Sequence, residues 1–410
     1  MDKKYVFFLG RQWQLSAVEV WHALVHTNAL PTLMTLSPTH MIVQTDTALP
    51  SDFFDRLGGV ERVGEMLDAK PGTYMPEGII KALSPIPEKF QFGLSTIGVP
   101  FPGKKFLVDI KKSAKKAGGR LSFVEPKEPA SRLSSAQVLF NGLYRAPNTE
   151  LTIIGGKGQT YLVRTIWVQD IAAYEARDTG RPARDAYVGM LSPKLAQTMI
   201  SLAVHAGNTT HNPKLYDPFC GLGTILQEGY LAGYTMVGSD KEKRMVDLSR
   251  RNLNWILKLR NLPPDLYPTL FTHDATQLFP SDLVESIAAM VTEPFLGTPL
   301  SGPLSREDAK KYIDELYPTY KKFIENARNV LVPHGVILLA LPAVKLRGSQ
   351  SGFYLWPKAF LDEFAQIGYL QEQLVPVELA EPISPIKREN LLYARPDANI
   401  GRELTLWRKQ

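Results

Sequence analysis

The run Lys214-Leu215-Tyr216-Asp217-Pro218-Phe219-Cys220-Gly221-Leu222-Gly223-Thr224-Ile225-Leu226 constrains this chain more than any other stretch. It starts as a short strand, turns through two glycines, and takes on a helical pattern over residues 224–232. A turn of this kind brings the backbone N–H groups of a helix N-terminus close to a ligand, with no Cβ in the way. The acid selects the ligand. Asp217 closes the strand ahead of the first glycine, where a carboxylate faces a cation rather than a pyrophosphate. The dinucleotide fingerprint G-x-G-x-x-G needs a third glycine where this chain has Leu226. An acid-first, two-glycine loop suits S-adenosylmethionine, whose aminoacyl end carries an ammonium group. The bland alternative is a tight strand-to-helix turn with no ligand.

The sequence around this loop alternates strand and helix patterns, as a parallel α/β sheet does. Strands are expected at 214–216, 235–239, 268–272, 288–291 and 336–341, with helices at 224–232, 244–258 and 308–329 between them. Strands at 369–375, 390–394 and 404–408 would complete an antiparallel edge. The stripe Tyr312, Leu316, Tyr320, Phe323, Ala327 and Val330 has helical spacing and reads as plain core.

Ligands of open α/β sheets sit beyond the carboxyl ends of the strands, and four acids fall there: Asp217, Asp240, Asp274 and Glu293. Asp240 is placed to chelate two ribose hydroxyls. Asp274 is placed to accept from an adenine amino group. With Phe219, Gly221, Gly223 and Thr224, these acids make the expected cofactor set. The fourth strand end, Thr292-Glu293-Pro294-Phe295, offers an acceptor, a proline and an aromatic. That trio suits methylation of an exocyclic amine: oxygens hold the amine hydrogens while the ring stacks on a flipped-out base.

The front half of the chain has a different character. Its first 70 residues follow a βαββαβ order, a ferredoxin-like unit: strands at 5–9, 32–36, 41–44 and 62–67, helices at 16–24 and 52–57. Ser16 and Glu19 have capping-box spacing. Residues 89–164 then carry 13 Lys/Arg against 4 Asp/Glu. Lys104, Lys105, Lys111, Lys112, Lys115 and Lys116 lie in or beside an expected helix at 106–117. Such a face grips RNA through phosphates, which fixes position without reading sequence; the alternative is a merely solvated basic face. The charged run Arg177–Asp185 reads either as an interdomain ionic clamp or, through Arg181 and Arg184, as a further phosphate contact. Ser192 and Pro193 are the expected cap and first residue of the helix that leads into the glycine loop.

Cys220 is the single cysteine, which rules out an internal disulfide or a thiolate metal cage and suits a reducing cytoplasm. No metal site and no membrane span are expected. A cytosine-C5 methyltransferase needs a cysteine to attack the ring, and Cys220 sits in the cofactor loop instead. The enzyme alternatives are amino-methyltransferases of ribosomal RNA or of DNA adenine. The non-enzyme alternative is an RNA-binding protein that retains the cofactor fold.

With these residues together, the chain resembles the THUMP-domain tRNA guanosine-N2 methyltransferases, the family that modifies guanosine 10 of tRNA. Asp217-Pro218-Phe219-Cys220-Gly221-Leu222-Gly223-Thr224 is similar to that family's D-P-x-C-G-x-G-T loop. Gly238-Ser239-Asp240 and His273-Asp274-Ala275 match its ribose and adenine segments. Thr292-Glu293-Pro294-Phe295 departs from the family's D-P-P-Y or its close variants: Thr292 stands for the leading acid or amide and Glu293 for the first proline. Either Glu293 supplies the acceptor one position later, or the Thr292 carbonyl and hydroxyl suffice, or amine methylation has been lost or redirected. The resemblance implies a ferredoxin-like domain at 1–75, a THUMP-like RNA-binding domain at 76–170, a linker at 171–190 and a Rossmann-like methyltransferase domain at 191–410. It implies tRNA as partner, and some relatives also use a small zinc-containing activator subunit.

Overall fold

Apolar residues fill β1 (Lys3–Leu9), which is buried from Tyr5 onward and is paired along both edges. Downstream in sequence come α1 (Trp13–His26), β2 (Thr32–Leu36), β3 (His40–Thr45), β4 (Val60–Lys70) and α2 (Pro76–Ala82). They are followed by β5 (Lys89–Ile97), α3 (Gly103–Lys116), β6 (Arg120–Val124), α4 (Ser135–Phe140), β7 (Thr149–Gly156) and β8 (Gln159–Val168). The computed structural model describes residues 2–50, 52–127, 131–156, 158–184, 190–207, 213–348, 352–383 and 390–410. These divide into two units: residues 1–13, 29–55 and 60–172 form the first, and residues 14–28, 56–59 and 173–410 the second.

The first unit is built on one eight-stranded sheet in the order β2-β3-β1-β4-β8-β7-β5-β6. The expected boundary at 75/76 is therefore not a break in the sheet. β4 runs beyond the expected 62–67 and pairs with β8 from Arg62↔Val168 to Lys70↔Thr160, joining the early strands to the later ones. The seam holds a buried ion pair. Arg62 Nη1 donates to Glu150 at 2.7 Å, and Ser95 and Thr165 hydroxyls donate to the same carboxylate at 2.6 Å each. The helix expected at 52–57 is only a 3₁₀ turn, Phe54–Arg56. On α3 the residues Leu107, Ile110, Ser113 and Ala114 are buried, so its lysines face outward.

Local spacing misreads α1. Ser16 and Glu19 are not a helix cap, because the helix starts at Trp13 and both residues are buried within it. Glu19 instead accepts the N–H groups of Gly58 and Gly59, each at 2.8 Å, so the segment 14–28 is tied into the second unit. His22 Nε2 to Leu374 O at 2.8 Å and Gln14 to Ile383 O at 3.1 Å extend that tie. Glu19→Ala removes the acceptor of one buried and one half-buried N–H donor and is expected to cost about 2–5 kcal/mol, read from urea melts. A loss below about 0.5 kcal/mol, the range of surface substitutions, would remove Glu19 from this role.

The second unit continues with α5 (Ile171–Asp178), α6 (Pro193–His205), β9 (Lys214–Asp217), α7 (Thr224–Leu231), β10 (Thr235–Asp240), α8 (Lys243–Arg260), β11 (Thr269–Thr272), β12 (Ile287–Thr292) and α9 (Arg306–Val330). It closes with β13 (Leu331–Lys345), β14 (Phe353–Tyr354), α10 (Lys358–Ile367), β15 (Tyr369–Glu372), α11 (Val377–Ile383), β16 (Leu391–Tyr393) and β17 (Ile400–Lys409). Ser192 caps α6 through the Leu195 N–H, with Pro193 first, as its sequence predicts. The sheet order is β11-β10-β9-β12-β13-β17-β15. β9 to β13 are parallel, and β17 runs antiparallel between β13 and β15. A dinucleotide fold keeps parallel strands there; the inserted β17 departs from it. The order reverses between β9 and β12, the kind of switch point at which open α/β sheets bind ligands, and the glycine loop and Thr292 lie at the ends of those strands. No helix among the described residues is long and apolar enough to cross a membrane.

Candidate active site

Asp217 ends β9 and is 2% exposed. Its Oδ1 accepts the Phe219 N–H at 3.2 Å and the Thr292 hydroxyl at 2.7 Å, so the carboxylate links the ends of β9 and β12, the strands on either side of the switch point. Burial pushes this carboxyl up to about 7; the hydrogen bonds from Thr292 and Phe219 oppose the shift, and the charges of Asp240 and Glu293 add to it. A positive ligand group is what would hold it ionised.

The loop that follows is shaped by its glycines. Gly221 has φ +50° and Gly223 has φ +79°. A Cβ on Gly223 would stand 2.2 Å from Ser249 Oγ, whereas one on Gly221 would meet only the Phe219 carbonyl, at 4.0 Å. The Gly221 position therefore borders open space into which a ligand can come close. Asp240, at the end of β10, accepts the Gly221 N–H at 3.1 Å and the Glu242 N–H at 3.0 Å. Its carboxylate thus pins the loop while keeping lone pairs for a second partner, and burial raises it above the usual carboxylate range. Asn252 of α8 holds the loop from the other side, donating to Leu222 O at 3.0 Å and to Ala183 O at 3.1 Å. Asp274 is exposed and is held low by the Thr276 backbone and hydroxyl bonds to its Oδ1. Phe219 sits edge-on to Phe323, ring centroids 5.2 Å apart. Burial, with Asp217 and Asp240 nearby, drives the Cys220 thiol well above its usual range, so it is no nucleophile.

At the fourth strand end the neighbours Thr292 and Glu293 face different partners. The Thr292 hydroxyl donates its proton to Asp217, and the residue is fully buried. Glu293 accepts two N–H groups from Arg402, at 2.5 Å from Nε and 3.2 Å from Nη2, with both side chains 11% exposed. Pro294 is buried, while Phe295 is 58% exposed. The stretch read as plain core on α9 also holds this loop: Tyr320 donates to Phe295 O at 3.1 Å, and the one Tyr312 hydroxyl proton is shared between Leu296 O at 2.9 Å and Thr298 O at 2.8 Å.

Residues 181–343 match the family model of UPF0020, the RMKL-like methyltransferase domain. The second unit carries a methyltransferase domain. A curated relative, the tRNA (guanine(10)-N2)-dimethyltransferase of Methanothermobacter thermautotrophicus, is 34% identical over 169 residues, 41% of this chain and 43% of that protein. The chain thus spans less than half the length of the curated relative it matches. The crystal structure of TrmN from Thermus thermophilus superposes with a TM-score of 0.53 at 13% identity, covering 99% of this chain and 100% of that one. The mixed α/β methyltransferase fold is established by these matches and by the strand order.

The basic candidates separate. Lys104, Lys105, Lys111, Lys112, Lys115 and Lys116 are all exposed on α3, and Lys112 pairs with the nearby Asp109 at 3.1 Å. Arg184 is exposed as well. Arg181 is not a phosphate contact, because it is 2% exposed and donates to Thr224 Oγ1 at 2.7 Å. Residues 185–189 of the charged run lie outside the described residues. Neither Asn252 nor Arg402 was marked by any local pattern; each meets its partner across a long stretch of chain.

Proposed function

We propose that this chain is an S-adenosylmethionine-dependent tRNA methyltransferase acting on the exocyclic N2 amine of a guanosine, of the guanosine-10 type, in the cytoplasm. The observation that carries the reading is Asp217, a buried carboxylate with no ion pair among the described residues, at the head of a glycine loop whose Gly221 N–H is held by Asp240. S-adenosylmethionine, when bound, supplies a methyl group already activated by its sulfonium. The protein's own part is then mostly alignment.

Asp217 receives the ammonium of the donor. Asp240 accepts from the ribose hydroxyls with the lone pairs left by Gly221 and Glu242, and Asp274 offers its second oxygen to the adenine amino group. Phe295 stacks on the flipped base. Arg402 occupies two of the roughly four lone-pair sites of Glu293, which leaves acceptors for the amine hydrogens. Glu293 keeps some exposure while Thr292 is fully enclosed, so we read Glu293, and not the Thr292 hydroxyl, as the acceptor that replaces the leading acid or amide of the family motif. The name of the Methanothermobacter relative supports guanine N2 as the target. We read the first unit as the ferredoxin-like and THUMP-like RNA-binding region, with the α3 lysines and Arg184 on phosphate. A small activator subunit, used by some members of the family, would be tested by adding one to the assay.

The deciding experiment is transfer of labelled methyl to bulk tRNA, ribosomal RNA and DNA, followed by mass spectrometry of tRNA nucleosides, which also separates mono- from dimethylation. Label in tRNA as N2-methylguanosine is expected. Label only in ribosomal RNA or DNA would reject this substrate. Donor binding without any label would favour the non-catalytic RNA-binding reading. For the RNA surface, charge reversal at Lys112, Lys115 and Lys116 should weaken tRNA binding and flatten the dependence of log K on log salt, by about 0.9 per lost phosphate contact in a duplex region. An unaltered slope would move the RNA surface off α3.

A further inference from the structure

Two buried guanidiniums stand by α7, and the carboxylate of Glu228 is bonded to one of them, Arg177. Arg177 Nε meets Glu228 Oε1 at 2.8 Å, with side chains 9% and 2% exposed. Arg181 is equally enclosed, yet its single hydrogen bond among the described residues runs from Nη1 to the neutral hydroxyl of Thr224. Its Nε and Nη2 are buried and have no hydrogen-bond partner among those residues. Asp178 and Glu228 attract Arg181 and Arg184 repels it, but the Glu228 contact already belongs to Arg177. A buried guanidinium with two N–H groups unmatched is costly unless an anion meets it.

The geometry of the free groups specifies that anion. Nε and Nη2 form one edge of the guanidinium plane, the fork that takes a carboxylate through two parallel bonds. Arg402 uses this same edge on Glu293 in this protein. The setting agrees with it: Thr224 opens an eight-residue helix whose N-cap is Gly223, with no side chain capping its first N–H groups, and a helix N-terminus favours negative charge.

We infer that Arg181 anchors the α-carboxylate of the methyl donor's amino-acid end through its Nε–Nη2 edge, beside the N-terminus of α7. This rests on the reading of the glycine loop as the donor site, and it completes that site. Before the loop stands Asp217, an acid with no ion pair among the described residues; beside the helix that follows it stands Arg181, whose Nε–Nη2 edge has no hydrogen-bond partner among them. An amino-acid zwitterion answers both, whereas a nucleotide phosphate would answer Arg181 and be repelled by Asp217.

The test is calorimetry on the full chain with two ligands: S-adenosylhomocysteine, and 5′-methylthioadenosine, the same nucleoside thioether without the amino-acid tail. Wild type should bind the first far more tightly. Arg181→Gln should weaken S-adenosylhomocysteine by about 10- to 100-fold and leave 5′-methylthioadenosine unchanged, the range expected for hydrogen bonds to a charged group. Arg181→Lys, which keeps the charge but not the fork, should recover part of the loss. Retained 5′-methylthioadenosine binding doubles as the check that the loop is folded. Equal weakening of both ligands would make Arg181 a support of loop shape and overturn the inference, as would no change in either. If wild type binds neither ligand, the donor site itself falls, and the anchor with it.

Discussion

Asp217→Asn is expected to lower affinity for S-adenosylhomocysteine by about 100-fold at about pH 8 and to abolish the pH dependence of binding. The side chain is isosteric, so packing between β9 and β12 is retained and the change is one of charge. The sign follows from burial, which raises the folded carboxyl to about 7, well above its unfolded value of about 4. Binding an ammonium requires the ionised form. Wild-type affinity should therefore climb as pH rises toward about 7, close to tenfold per pH unit below that point, and level off above it. Stability moves the other way. The folded state holds the proton more tightly than the unfolded state, so this group's contribution to stability is present at about pH 4 and is lost as pH rises through about 7. Glu19, also raised to about 7 by burial, contributes in the same direction. The difference between wild type and Asp217→Asn isolates the Asp217 share. Calorimetry across this range, paired with urea melts, measures both effects. A variant that binds as tightly as wild type, or keeps the pH slope, would remove Asp217 from the donor site.

The parts of this site that could be read from sequence are those whose chemistry lies within a few residues. Asp217, Gly221 and Gly223 announce a turn that only glycines permit, and the loop forms with both glycines at positive φ. The parallel strands and their terminal acids follow from alternating apolar runs. What could not be read is pairing across distance. Nothing near Glu293 points to Arg402, because the register that joins them is set by β17 entering the sheet beside β13. Arg181 sits in a charged run whose pattern is that of a solvated or RNA-facing segment, and only the packing of α7 shows that it is enclosed. The Ser16/Glu19 misreading has the same origin: an i, i+3 spacing is common to a helix cap and to two residues on one buried face. Tyr312 and Tyr320 were correctly placed on the core stripe of α9, but hydropathy says nothing about where a buried hydroxyl finds its acceptor. Both reach the carbonyls of the Phe295–Thr298 segment.

The adjacent residues Thr292 and Glu293 should separate cleanly into two roles. Glu293→Gln is expected to cut kcat for tRNA methylation by about 10²- to 10³-fold, the loss typical of one preorganised polar group at a transition state, while donor affinity stays within about twofold. The carboxylate opposes charge that develops on the amine nitrogen only as the methyl arrives, so its removal acts on kcat rather than on ligand binding. Thr292→Val should do the reverse. It deletes the hydroxyl that stabilises the ionised form of Asp217, so the Asp217 titration moves to still higher pH and donor affinity near neutrality falls, with kcat at saturating donor much less affected. Because Arg402 and Glu293 are both largely enclosed, urea melts must show the Gln variant folded, and Arg402→Lys provides the graded control. Single-turnover methyl transfer and donor calorimetry on the three variants give the answer. Should Thr292→Val abolish turnover while Glu293→Gln leaves it intact, the acceptor is the Thr292 hydroxyl after all, and the Glu293–Arg402 pair is a structural tie between β12 and β17.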